Sequence, residues 1–290
     1  MFKKTNKFLK KLSCSPLSKK LRKTSKIKNL SCYSDKGLRK MVQYWNIRHP
    51  DNKIEATQDP SKIWNFFKDT FSNVCNNEKC WLRQKFIENN NKGLLKYFSP
   101  SAPTSWKKKP YTWLNSNDIE KIMLQYEDTY PNFEFIGPSP IDFDKVIKRN
   151  ECVWDDLCKF SLKDKIKKNI NKIGIIFNTD PHNKSGKHWI CLFIDLNKSF
   201  ISFFDSNGSR IPKEIKTFVD RVICQGEDID LDLKYYDNYN KVHQKNDGQC
   251  GMFTLYYIIE LLLENKTPEY FKETRITDET MRDYRSIYFN

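Results

Sequence analysis

Gln244-Lys-Asn-Asp-Gly-Gln-Cys250-Gly251, followed by the apolar run Met252–Leu263, is the stretch from which the fold reads outward. The run is Met-Phe-Thr-Leu-Tyr-Tyr-Ile-Ile-Glu-Leu-Leu-Leu, interrupted only by Thr254 and Glu260. A helix that is apolar on nearly every side belongs at the centre of a domain. Cys250 falls on its first turn, at the end of a loop of polar and turn-forming residues. A thiol there meets the unpaired N–H groups and the positive end of the helix dipole. Both favour the thiolate, which is the nucleophilic form. Gly251 leaves room for a substrate backbone. Taken alone, a cysteine at the head of a core helix is more often structural, so its partners elsewhere in the chain must decide.

Upstream of this stretch the hydrophobic period is that of strands. Ile173–Asn178, His188–Asp195, Ser199–Phe204 and Leu231–Tyr236 are short runs rich in β-branched or aromatic residues, bounded by turn formers such as Asp180-Pro181, Ser185-Gly186 and Asn207-Gly208. An amphipathic helix is expected around Ile215, Phe218, Val219, Val222 and Ile223, and a last helix over 277–288. If the second and third runs are antiparallel neighbours, His188 at the start of one lies beside Asp205 at the end of the other. A carboxylate there holds an imidazole in one tautomer and stabilises its charged form, and imidazole suits taking a thiol proton near neutral pH. Gln244, six residues before Cys250, can offer a side-chain N–H to an oxyanion beside the backbone N–H of Cys250. His243 is a rival base because it adjoins Gln244, although sequence neighbours rarely point the same way. His182 sits in a loop and is the weaker rival.

The chain has 290 residues, enough for one large domain or two. No window holds eighteen uninterrupted apolar residues, which argues against a membrane span, and the lysine-rich N-terminus has no apolar core of secretory length. Nine cysteines include two loose pairs, Cys75/Cys80 and Cys152/Cys158, without the further ligands of a zinc site. No metal is therefore expected, and reduced thiols are. Residues 1–40 carry fourteen Lys and Arg against one acid, Asp35, while the rest of the chain is nearly balanced. They are expected to form a flexible basic arm that attracts nucleic acid or serves as a solubilising tail. Residues 41–110 are expected to form a helical accessory domain, with Ser61 as a cap and Trp81–Ile87 and Gly93–Phe98 as further segments, ending in a Pro-rich linker at 99–110. A core domain over 111–290 follows. It opens with Trp113-Leu114-Asn115 and a helix started by Ser116 or Asn117, with Glu120 as capping-box partner of Asn117, then a Pro-rich loop from Pro131 to Pro140. Helices, then strands, then the buried cysteine helix make the domain α+β.

The order His188-Trp189, Phe204-Asp205-Ser206, Gln244 and Cys250-Gly251 resembles the cysteine proteases specific for ubiquitin-like proteins and the related adenovirus-type proteases. Phe177-Asn178-Thr179-Asp180, Gly186-Lys187-His188-Trp189, Val242-His243-Gln244 and Arg275-Ile-Thr-Asp-Glu279 draw the likeness to the polyprotein-processing proteases of African swine fever virus and other large DNA viruses. The resemblance covers residues 111–290. It implies a papain-like core in circularly permuted order, with a central mixed sheet and a buried helix starting at the nucleophile. It implies Cys250, His188, Asp205 and Gln244 as catalytic residues. Where the swine-fever enzyme has Asn as third member, this chain has Asp205. The implied reaction is cleavage of structural polyproteins after Gly-Gly during virion maturation, under a narrow roof supplied by Trp189 and Trp113. The implied location is the virion and host cytoplasm. Two alternatives stand beside it: removal of ubiquitin-like modifiers by the same chemistry, and a nucleic-acid-binding virion protein on a protease fold. By analogy with adenovirus-type proteases, DNA is the candidate activating polyanion; no other cofactor is implied.

Overall fold

A computed structural model describes residues 9–87, 91–147 and 151–290. The chain packs as two compact units, one reaching to Ala102 and taking in Ser286–Asn290, the other spanning Pro103–Arg285.

The first unit is helical. It contains α1 (Pro16–Leu21), α2 (Asp35–Arg48), α3 (Pro60–Thr70), a 3₁₀ turn at Glu78–Arg83 and α4 (Lys92–Leu95). Asp59 caps α3 ahead of Pro60, two residues before the expected Ser61. Its core joins Ile27, Cys32, Tyr33 and Leu38 to Met41, Trp45, Phe67 and Trp81, all buried. The expectation of a separate flexible arm over 1–40 is therefore corrected for residues 9–40; residues 1–8 of that arm lie outside the described residues. Four apolar side chains without a helical period anchor the segment, while its lysines stay on the outside. Expected reduced thiols are corrected as well, since Cys14–Cys32, Cys75–Cys80 and Cys152–Cys158 are disulfides. The tight turns between the last two pairs bring their Cα atoms to 5.6 and 6.3 Å, within bridging range.

The second unit is α+β. After a 3₁₀ turn at Thr104–Lys107 it runs α5 (Ser116–Glu127), β1 (Phe133–Pro140), α6 (Asp155–Cys158), α7 (Leu162–Lys167), β2 (Lys172–Asn178), β3 (Trp189–Asp195), β4 (Phe200–Phe204), α8 (Lys213–Glu227), β5 (Lys234–Asp237), α9 (Cys250–Leu262), α10 (Pro268–Glu273) and, as far as Arg285, α11 (Asp278–Tyr288). The cap of α5 is Asn115, in a capping box with Asp118, which displaces the expected pairing of Asn117 with Glu120. The five strands lie in sequence order as a mixed sheet. β1 is parallel to β2, β2–β3 and β3–β4 are antiparallel, and β4 is parallel to β5. Alternation along the strands divides the core. Ile173, Ile175, Ile190, Leu192 and Phe203 face Ile215, Phe218 and Val222 of α8. On the opposite face, Phe204 stacks on Tyr257 of α9 at 4.4 Å. Every residue of α9 is buried, and its polar Thr254 is satisfied by the Gly251 carbonyl at 2.9 Å. No helix among the described residues is long and apolar enough to cross a membrane.

Candidate active site

The β3–β4 register brings Cys191 opposite Phe204, so the residues flanking those strand ends, His188 and Asp205, meet at one edge of the sheet. His188 Nε2 lies 2.6 Å from Asp205 Oδ1. The Asp205 carboxylate also accepts the Asn207 backbone N–H at 2.8 Å, and its own backbone is gripped from both sides by Asn238. The Asp205 N–H donates to Asn238 Oδ1 at 2.9 Å, and Asn238 Nδ2 donates to the Asp205 carbonyl at 2.7 Å. Asn238 is almost fully buried. Sequence reasoning missed it; an Asn just past β5 looks like an ordinary turn former.

Burial disfavours a charged imidazole, but the bonds from His188 to Asp205 and Cys250, together with their charges, outweigh it and raise His188 to about 9. Asp205 answers in the opposite sense: burial raises its pKa, and His188 and the Asn207 N–H more than reverse this, so the carboxyl lies below its usual range. With Nε2 taken by Asp205, Nδ1 is the nitrogen left to serve the thiol. Cys250 is 2% exposed and opens α9. Gln249, the cap of that helix, makes no side-chain cap bond, so the N–H groups of the first turn are left to the site. An unneutralised helix start beside the nucleophile is a setting that favours an oxyanion.

Gln244 joins the same sheet edge. Its backbone N–H donates to the Ser206 carbonyl at 2.9 Å, and its Oε1 accepts from Ser206 Oγ at 2.9 Å. Its Nε2 donates to the Asn246 carbonyl at 2.9 Å, so the amide N–H lies at the rim of the nucleophile loop. His243 is not part of the site. It is wholly buried, its Nδ1 accepts the Ile276 N–H at 3.0 Å, and it packs on Phe204. His182 stays on its loop with Nδ1 2.6 Å from Asp142 Oδ2.

A cleft of about 460 Å³ beside the site is lined by Trp113, Leu114, Asn178, His182, Gly186 and Trp189. Trp189 is buried, with Nε1 donating to the Leu114 carbonyl at 2.9 Å. Trp113 is 46% exposed and stands over Gly248, where an added Cβ would lie 3.1 Å from its ring. The space at Gly251 is occupied by protein: a Cβ there would meet Leu114 at 3.1 Å and Trp189 at 3.2 Å. The expected room for substrate is thus packing room, which lets α9 sit against the Leu114–Trp189 pair.

Residues 147–290 match the Ulp1 protease family, C-terminal catalytic domain. The chain is similar to a thiol protease of Acanthamoeba polyphaga mimivirus, 29% identical over 81% of this chain and 76% of that protein. It is also similar to the cysteine protease of African swine fever virus, 29% identical over 69% of each. A crystal structure of an African swine fever virus protease shares the fold, with TM-score 0.63 and 21% identity, covering 98% of both chains. The nucleophile loop, the imidazole–carboxylate pair and the buried helix therefore lie in a Ulp1-like catalytic domain, and the chain is a cysteine-type protease.

Proposed function

We propose that this protease cleaves viral structural polyproteins after Gly-Gly during virion maturation. The observation that carries the reading is the deeply seated nucleophile: Cys250 is 2% exposed, beside a cleft walled by Trp113, Leu114 and Trp189. A chain without side chains at the residues before the scissile bond fits such an approach best. Its viral relatives support the setting. In this mechanism Cys250 Sγ attacks the carbonyl carbon and the carbonyl π electrons move onto oxygen. The Cys250 and Gln244 N–H groups hold that oxyanion. Collapse expels the amine, which takes a proton from His188, and leaves a thioester. Water, deprotonated by His188, then attacks the thioester and releases the new carboxylate and Cys250. Asp205 orients His188 and balances its charge. The test is hydrolysis of a Gly-Gly-Xaa peptide by the full chain, Cys250→Ala and His188→Ala. Cleavage by the parent alone is expected. Equal cleavage of Ala-Ala-Xaa would sink the Gly-Gly assignment. Preference for a folded ubiquitin-like C-terminus over the peptide would favour modifier removal.

A polyanion partner is supported by a second observation, in the helical unit. Lys10, Lys11, Lys19, Arg22, Lys28 and Lys68 line one cavity of about 590 Å³. Its single acid, Glu78, is already engaged by Ser31 Oγ (2.6 Å), the Cys32 N–H (2.6 Å) and Trp64 Nε1 (3.0 Å). Arg22 is buried and held by Ser18 Oγ and the Lys28 and Ser31 carbonyls, but the exposed Lys10, Lys11 and Lys28 are left to an outside anion, and nucleic acid is the partner we assign. Combined reversal of Lys10, Lys11 and Lys28 to Glu should weaken binding of a single-stranded oligonucleotide and reduce the slope of log affinity against log salt by about 2. An unchanged slope would remove nucleic acid from the account.

A further inference from the structure

Arg285, on the last turn of α11, is 4% exposed and turns inward. Its Nε donates to Gln249 Oε1 at 3.0 Å and its Nη2 to the Gly248 carbonyl at 2.9 Å. Nη1 donates to the Thr112 carbonyl at 3.0 Å and to the Pro110 carbonyl at 3.2 Å. The guanidinium also lies 4.3 Å from the centre of the Trp106 ring. Among the described residues no carboxylate forms an ion pair with it. A cation held this deep without a counter-ion is costly, and its four acceptors come from only two places. One is the turn that ends at Cys250. The other is the segment that ends at Trp113.

We propose that Arg285 is a positioning residue for the protease reaction, a clamp that sets the aim of Cys250 through Gly248–Gln249 and holds the Trp113 wall to the same turn through Pro110 and Thr112. The proposal rests on Cys250 being the nucleophile. The two clamped segments touch at Gly248, whose φ is +89° and whose missing Cβ would lie 2.4 Å from the Tyr111 carbonyl. Any side chain there would push them apart, so the backbone is built for contact and the guanidinium closes it. Only a planar five-donor fork can serve four oxygens in two segments and stack on a ring; an ammonium cannot. The charge matters too. Burial draws Arg285 down to about 10, with Tyr111 and Cys250 acting against that fall, so it stays protonated at neutral pH with its field reaching the nucleophile.

The experiment uses the full chain as parent, Arg285→Lys, Gln249→Met and Cys250→Ala. Two rates are read: peptide hydrolysis, and alkylation of Cys250 by iodoacetamide against pH, followed by mass spectrometry of the Cys250 and Cys224 peptides. Thermal unfolding is measured alongside. In folded Arg285→Lys, Cys250 alkylation and kcat should each fall at least about tenfold, and KM should rise as the Trp113 wall loosens. Gln249→Met, which removes one acceptor, should shift both rates the same way by less. If Arg285→Lys fails to fold, Gln249→Met decides. Rates within twofold of the parent in the folded variants would overturn the clamp. A parent whose Cys250 reacts no faster than the exposed Cys224 would instead overturn the nucleophile assignment, and the clamp with it.

Discussion

The imidazole of His188 is pulled two ways, by burial toward neutrality and by Asp205 and Cys250 toward charge, and the second wins, lifting it to about 9. A raised pKa means that the folded state holds a proton the unfolded state has lost. The resulting stability is complete below about 6.5 and disappears as pH rises through about 9. The leaving amine takes that same proton from His188, so the alkaline limb of kcat/KM should fall near 9. Asp205→Ala removes both a 2.6 Å bond and a charge. The alkaline limb should then move toward neutral, with kcat reduced by about 10²–10⁴-fold. A pH–rate profile of the two proteins checks this, and an unmoved limb in Asp205→Ala would count against the pair. Asp205 was legible in the sequence because an antiparallel register follows from two apolar runs joined by a short turn. Arg285 was not, because one arginine in a polar final helix carries no sign of facing inward.

At the scale of elements, the loop before α9 is tied to the segment before α11 by His243, whose Nδ1 accepts the Ile276 N–H. Burial holds this histidine down to about 4; a bond to the Phe271 backbone opposes the fall, and the charges of Lys241 and Arg275 add to it. Below about 6.5 the unfolded chain takes up a proton that the folded chain refuses until about 4. Stability is therefore lost as pH falls across that window, by about 3 kcal/mol when complete. The advantage of the parent over His243→Gln in urea unfolding should shrink by about that much between pH 7.5 and pH 4. A constant difference would show that His243 does not titrate between the two states. The central strands and α9 could be read from the sequence because they are buried on all sides, and unbroken apolar runs mark that state. β1 could not. Its Phe-Glu-Phe-Ile-Gly-Pro-Ser-Pro sequence reads as a loop, yet it forms the sheet edge, where missing N–H groups are tolerated and the register slips between Ile136 and Ser139.

At the scale of the molecule, composition misled where it was most lopsided. Fourteen cations in forty residues describe a tail, and only the packing of Ile27, Tyr33 and Leu38 shows a folded segment. The helical unit also owns the other end of the chain. Asn290 Nδ2 donates to the carbonyls of Ser13 and Ser99, each at 2.9 Å, and its Oδ1 accepts the Ser13 N–H at 2.6 Å. Residues 277 positions apart in the sequence thus close the helical unit. Closing a loop of that span costs more chain entropy than closing a local one, so the helical unit gains its last bonds only when residues 286–290 return to it. The second unit, Pro103–Arg285, is drawn from one continuous stretch, whereas the first is assembled from two stretches separated by the whole of the second. Loss of residues 286–290 would therefore be felt first at Ser13 and Ser99, far away in the sequence, rather than among the neighbours of those residues in the chain.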